Sequence, residues 1–147
     1  MLKNEKGFSL IEVGIAIALL GIIAVAFLSG VATASKAMII ADERATAESL
    51  ARSEMEDVKS CDYETYVVDA LPLSYTKDGE LSVTHPGYFI WVDAFPIDPD
   101  TGQLLVNPDT GEFLIAGDTD KGIQKITVTV SHHSKEVITL ENYKVDR

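Results

Sequence analysis

The sequence predicts an α+β protein in which one long N-terminal helix, membrane-spanning in its first half, packs on a small antiparallel β-sheet head. Two observations lead to this fold class. The first third of the 147 residues is rich in Ala, Ile, Leu and Val and continues into a helical repeat of apolar residues. Past Asp62 the chain changes to turn signals and short runs of Val, Ile, Thr and aromatic residues.

The N-terminal apolar run has the length of a membrane span. Phe8 to Leu28 contains 21 residues, with Glu12 as its one charge, and Val13–Ser35 holds 23 residues without a charge. A bilayer core needs about 20 apolar helical residues, so the run predicts a transmembrane helix. Lys3 and Lys6 precede it, which predicts that the N-terminus lies in the cytoplasm.

Two alternatives compete for this segment. In a cleaved secretory signal, Ala32–Ala34 would be the small-x-small site, but the apolar run is longer than the usual h-region of about 7–15 residues. A plain single-pass anchor explains the length but not the charge. An unpaired carboxylate is costly in hydrocarbon, so Glu12 either avoids lipid or has a function.

The helical period continues beyond the membrane to about Ser60. One face carries an apolar stripe suited to packing on the head: Ala47, Leu50, Ala51, Met55 and Val58. Another face alternates in charge at a spacing of four and is expected to be exposed: Arg44, Glu48, Arg52 and Glu56. Residues of low helix propensity leave open whether the first half melts locally, at Gly14, Gly21, Ser29 and Gly30.

The head contains four candidate strands, rich in β-branched and aromatic residues: Leu81–Thr84, Tyr88–Ala94, Gln124–Ser131 and Val137–Val145. The stretch Ile126–Leu140 predicts a hairpin with HHSK at its turn. Neighbours on a strand point to opposite faces, so His132 and His133 are interpreted as exposed turn residues that do not bind one metal together.

The loop between these strands repeats the tetrapeptide PDTG, at 99–102 and 108–111. Pro fixes φ, Asp bonds locally and Gly accepts a positive φ, so each copy predicts a turn. Five aspartates make a calcium site a minor alternative to plain turns, although the EF-hand pattern is absent. These candidates are Asp98, Asp100, Asp109, Asp118 and Asp120.

Composition excludes several classes of function. The net charge is −11, with 12 Lys+Arg against 23 Asp+Glu, and no basic stripe is present, so nucleic acid is not an expected partner. The one cysteine, Cys61, cannot form an intrachain disulfide and is interpreted as a harmless thiol just past the helix end, with a reactive or intermolecularly paired thiol as the alternative. No catalytic motif is found, so the chain is expected not to be an enzyme and to need no cofactor.

The stretch KGFSLIEV, residues 6–13, closely resembles the cleavage and methylation motif of type IV pilins and of the pseudopilins of type II secretion. That motif is a basic leader ending in Gly, then Phe, Ser or Thr, two apolar residues and Glu. The resemblance covers roughly residues 1–60. It implies that Gly7 ends the leader, that Phe8 becomes the N-methylated N-terminus, and that Glu12 is the acidic residue used in subunit assembly.

The resemblance implies a division into a leader (1–7), a transmembrane and filament-core helix (8–35), an amphipathic continuation (36–61) and an extracytoplasmic head (62–147). Its implied partners are prepilin peptidase/methyltransferase, other pilin or pseudopilin subunits and an inner-membrane assembly platform. The expected product is a subunit, most similar to minor pilins or I-type minor pseudopilins, that moves from the inner membrane into a pilus or secretion filament. The alternative is an exported protein whose acidic head is a stand-alone binding module.

Overall fold

The computed structural model describes residues 9–68, 73–115 and 118–147. Helix α1 (Leu10–Ser60) is followed by strands β1 (Lys77–Leu81), β2 (Tyr88–Pro96), β3 (Ile123–His132) and β4 (Lys135–Val145). The strands pair antiparallel in sequential order, β1-β2-β3-β4. This arrangement confirms the predicted α+β class.

Packing divides the chain into two units, one ending at Ala41 and one running from Asp42 to Arg147. Helix α1 continues without a break across this boundary and through the three glycines of its first half. The second unit contains the C-terminal part of α1, the sheet and the loops between the strands.

The core of the second unit lies between α1 and one face of the sheet. Alternate residues of β2 and β3 are buried, as expected for a sheet with one covered face. The buried residues of α1 are the five of the predicted stripe, which is confirmed: Ala47, Leu50, Ala51, Met55 and Val58. They pack against the inward side chains of the two central strands, chiefly Ile90, Val92, Ile126, Val128 and Val130.

Strand β1 differs from its prediction. We expected a strand at Leu81–Thr84, but the pairing with β2 begins at Lys77 and ends at Leu81. The sequence KDGEL has little intrinsic strand preference, and the register shifts between Lys77 and Glu80, around Gly79 at φ 67°. The strand therefore forms because the edge of β2 offers it hydrogen bonds, which local propensity does not reveal.

The predicted hairpin between β3 and β4 is confirmed, with a tight turn at His133 and Ser134. Both turn residues have positive φ, 51° and 61°. Two consecutive residues with positive φ are the mark of a type I′ turn, whose twist matches that of the flanking strands.

Both PDTG copies form turns, as predicted. Gly102 and Gly111 have φ of 69° and 72°, and each amide donates to the carbonyl four residues earlier. Short bridges flank the turns, joining Ile97 to Leu104 and Val106 to Phe113.

A buried polar network joins the segment after α1 to β3. Asp120 accepts from the Tyr63 hydroxyl (2.5 Å), the Tyr66 amide (2.8 Å) and the Gln124 side-chain amide (2.7 Å). Gln124 is fully buried, and its carbonyl accepts from the Tyr75 hydroxyl at 2.6 Å. Because each member has a partner, the network holds the loop without leaving polar groups unpaired.

Candidate functional site

The first unit presents an apolar helix surface that nothing in the described chain covers. Every large apolar side chain from Leu10 to Ile40 is at least 44% exposed. By length and composition this part of α1 can cross a membrane, and none of the apolar window is buried within the described residues. Such an exposed apolar surface needs lipid or other protein around it.

Two hydroxyls of this stretch form hydrogen bonds inside the helix. The Thr33 hydroxyl donates to the Ser29 carbonyl and the Ser35 hydroxyl donates to the Val31 carbonyl, each at 3.0 Å. Bonds of this i−4 type hide hydroxyls from an apolar environment. Ala32–Ala34, the cleavage site of the alternative secretory-signal interpretation, lies within this continuous helix.

Glu12 is the one carboxylate between Leu10 and Ile40. It lies in the first turn of α1, is exposed, and borders an apolar groove formed by Val13, Ala16, Ile17 and Leu20. Along α1 the next basic residue is Lys36, 24 residues further on, which at about 1.5 Å per residue is about 36 Å away. Among the described residues of this unit, no cation lies near enough to neutralise the carboxylate.

Gly7 and Phe8, the predicted cleavage junction, lie outside the described residues. A family model for the prokaryotic N-terminal methylation motif matches residues 2–28, which include this junction, Glu12 and most of the apolar run. The chain carries the signature of type IV pilins and pseudopilins. No curated protein and no solved structure was found to match the chain.

The methylation motif has chemical consequences for the whole N-terminal region. It implies processing by prepilin peptidase, anchoring in a membrane and assembly with other pilin subunits. The motif marks a structural rather than an enzymatic family. It ends at residue 28, so the head is not described by it.

The aspartates considered for calcium are used in two different ways. Asp98 accepts from Lys121 at 2.7 Å and from the amides of Asp100 and Thr101, and the Lys121 ammonium chiefly lowers the pKa of Asp98 to about 2. Asp120 belongs to the buried network described above. Within 73–115 and 118–147 the five candidates do not bring three carboxylates together around one point.

The histidine pair contradicts its predicted geometry. His132 ends β3, but His133 already has φ 51°, so strand alternation does not apply to it. The two Nδ1 atoms lie 3.1 Å apart, and His132 Nδ1 lies 3.6 Å from Glu43 Oε1 of α1. His133 is an exposed turn residue, as predicted, whereas His132 ends β3 and is half-buried. The argument that the pair cannot share one metal assumed that both lie on a strand, and it does not hold for this turn.

The Glu43, His132 and His133 cluster is the functional candidate that the sequence did not reveal. Its three ligand atoms lie within 4.8 Å of one another. Glu43 lies 89 residues before His132 and 90 before His133, so only the packing of α1 on the hairpin brings them together. The HH dipeptide at a turn was the one available signal.

Proposed function

We propose that the chain is a structural subunit of a type IV pilus or type II secretion filament, and specifically a minor one. In this role the leader 1–7 is removed, Phe8 is N-methylated, and residues 8–35 first span the inner membrane and then line the filament core. The head, 62–147, together with the outer part of α1, stays on the extracytoplasmic side.

One observation carries the proposal: the methylation motif at 2–28 continues into a helix whose apolar first stretch, up to Ser35, is bare and carries a single charge, Glu12. A plain membrane anchor needs only the apolar length. It needs neither the Gly–Phe junction nor a carboxylate four residues beyond it.

Glu12 would fix how far one subunit is shifted along its neighbour in the filament. A buried unpaired charge costs several kcal/mol, whereas a paired and hydrogen-bonded one roughly breaks even. Cleavage after Gly7 frees an amine at Phe8, and the corresponding amine of a neighbouring subunit is the counter-charge that Glu12 lacks within its own helix. Joining the filament would therefore relieve a subunit that is unfavourable alone in lipid.

The proposed minor role is supported by the segment 45–60, which is similar to that of minor pilins and I-type minor pseudopilins. The single Cys61 also excludes the disulfide-closed C-terminal loop of many major pilins. An inner-membrane assembly platform is the expected further partner.

Intact-mass measurement of membrane-extracted protein tests the proposal. The expected mature chain begins at Phe8 and carries one extra methyl group. In Gly7→Leu the leader should stay attached, because a bulky residue at the scissile junction blocks the peptidase. Gly14→Ala is the matched control: an added Cβ there meets nothing within 4 Å, so cleavage should be normal.

Other masses would identify other functions. A mature N-terminus at Ser35 would establish a secretory signal, and a full-length membrane protein in cells that contain the peptidase would establish a plain anchor. Either result would overturn the filament proposal in favour of an exported head that binds a partner by itself.

A further inference from the structure

We propose that Glu43, His132 and His133 form a binding site for a divalent transition metal of the Zn²⁺ class, which joins α1 to the β3–β4 turn. The site lies wholly in the second unit and is independent of the filament function proposed above. Its ligands would be one carboxylate oxygen and two imidazole Nδ1 atoms.

The spacing of the ligand atoms fits one metal ion. Zn–N bonds of about 2.0–2.1 Å in tetrahedral geometry place two ligand nitrogens about 3.3 Å apart. The two Nδ1 atoms are 3.1 Å apart, and the distance from His132 Nδ1 to the Glu43 carboxylate is 3.6 Å. All three ligand atoms lie within 4.8 Å of one another, so side-chain rotation has to close the remaining gaps when a metal binds.

The surrounding structure holds His132 in place for this role. The Tyr88 ring stacks on the His132 imidazole, with centroids 4.3 Å apart and planes 13° from parallel. The Tyr88 hydroxyl reaches back to the Glu43 carbonyl at 3.4 Å, so the same residue contacts both sides of the site. A ligand whose ring is fixed before binding loses less entropy when the metal arrives.

The ligand types select the metal class. Two imidazoles and one carboxylate suit Zn²⁺ and neighbouring late transition metals, whereas Ca²⁺ and Mg²⁺ prefer sets made of oxygen. The His133 side chain is exposed, so the fourth position opens to solvent, where water completes a tetrahedron.

A metal here would fasten two elements that are distant in sequence. Glu43 is the second residue of the second unit, on α1, whereas His132 ends β3 and His133 begins the hairpin turn. Metal that binds the folded state and not the unfolded chain stabilises the fold by mass action. The melting temperature of the metal-stripped protein should therefore rise on addition of Zn²⁺.

Zinc titration by calorimetry tests the site, using the full chain stripped of metal in detergent. One Zn²⁺ per chain is expected. The variants Glu43→Gln, His132→Asn and His133→Asn should each bind at least about 10-fold more weakly, since even outer-shell changes cost about 10–100-fold. His85→Asn is the matched control, because it removes the third histidine, which is not in the cluster, and it should bind like the wild type.

Two results would overturn the proposal. One is a wild-type protein that binds no Zn²⁺, which leaves the cluster as a contact between two imidazoles beside a carboxylate. The other is binding that the three ligand variants leave unchanged, which assigns the metal to surface carboxylates. Ca²⁺ in place of Zn²⁺ should leave the melting temperature unchanged, since a cation that does not bind the folded state does not stabilise it. Trp91 fluorescence shows whether each variant is folded. Should His132→Asn fail to fold, the exposed His133 and the half-exposed Glu43 still decide the question.

Discussion

At the scale of single residues, buried polar groups determine how α1 ends on the sheet. The Lys144 ammonium is buried and donates to the carbonyls of Val58 and Cys61, both at 2.5 Å, and it lies 5.0 Å from the centre of the Tyr75 ring. The last carbonyls of a helix lack intrahelical partners and carry partial negative charge. A lysine from β4 therefore caps a helix that ended 84 residues earlier.

Replacing this lysine should destabilise the head. Lys144→Met keeps most of the apolar stem but removes both charge-assisted bonds, so the free energy of unfolding should fall by about 1.5–3 kcal/mol. Denaturant unfolding followed by the single Trp91 measures it. Lys125→Met is the control, because its ion pair with the exposed Glu141 is worth about 1 kcal/mol at most. Equal losses in the two variants would contradict the capping role.

The buried tyrosines predict a loss of stability in alkali. Burial is the main cause that raises the pKa of Tyr75 to about 12, and burial also raises the pKa of Tyr63 above its ordinary value. An unfolded tyrosine ionises near pH 10, at about its ordinary pKa, so the stabilisation is complete below that pH. It is lost as the pH rises from about 10 towards 12.

The measurement is the free energy of unfolding at a series of pH values across this window. The wild type should lose stability steadily, whereas Tyr75→Phe should start lower, since the bond to Gln124 is gone, and then fall less steeply. Parallel curves for the two proteins would show that Tyr75 does not cause the alkaline loss.

At the scale of elements, β1 depends on a close approach rather than on strand preference. Gly79 sits at the register shift with φ 67°, and a Cβ on it would meet the Trp91 ring at 2.9 Å. Ion pairing supports the same strand, since Lys77 bonds Glu54 of α1 at 2.7 Å. The register shift at Gly79 lets the backbone of this polar edge strand pass close to the Trp91 ring.

A pair of glycine substitutions separates the two demands made on Gly79. Gly102 has nearly the same φ, 69°, but nothing lies within 4 Å of an added Cβ. Gly102→Ala should cost about 1–2 kcal/mol for the left-handed backbone alone. Gly79→Ala should cost clearly more, because the backbone or the indole must also move. Equal losses of unfolding free energy in the two variants would mean that the Trp91 ring moves away from the added Cβ without a measurable loss of stability.

At the scale of the whole molecule, the two units differ in how much of their apolar surface is covered. The second unit has its own core, whereas the helix of the first unit is not covered by any residue that the structure describes. The second unit has a buried apolar core, and its buried side-chain polar atoms are paired, with the Ser131 hydroxyl as the one exception among the described residues. The first unit leaves both its apolar surface and Glu12 unsatisfied within the described chain. We expect this difference between the two units in a subunit whose N-terminal helix is covered by neighbouring subunits.

Glu12→Ala should therefore separate processing from assembly. Insertion and leader removal should be normal, because the apolar span from Val13 is unchanged. Incorporation into filaments should fail, since breaking a buried charge pair costs about 3–5 kcal/mol. Glu12→Gln should be intermediate at best, because an amide accepts a hydrogen bond but does not neutralise an amine.

Filament shearing in cells that express each variant alone measures the effect, with leader removal checked by mass on the same sample. Glu48→Ala is the matched control: this glutamate is also on α1 but pairs with Arg52 on an exposed face, so assembly should continue. Wild-type amounts of cleaved Glu12→Ala in sheared filaments would exclude the pairing mechanism and leave Glu12 facing lipid headgroups.

The sequence by itself determined the features that depend on local pattern. These features are periodic or short-range signals, and each follows from residue spacing or from the φ preference of a few residues. They are the apolar run, the methylation motif, the five-residue stripe of α1, the two PDTG turns and the β3–β4 hairpin. The motif on which the proposed function rests belongs to this group, because it is contiguous in sequence.

Only the tertiary structure decided what distant residues do to one another. Strand β1 forms on the edge of β2 against its own propensity, and Lys144 becomes a helix cap because β4 passes the end of α1. The Glu43, His132 and His133 cluster arises in the same way, from a turn with positive φ packed beside a helix 89 residues earlier. Such contacts depend on the register and packing of whole elements, and no local pattern of residues encodes them.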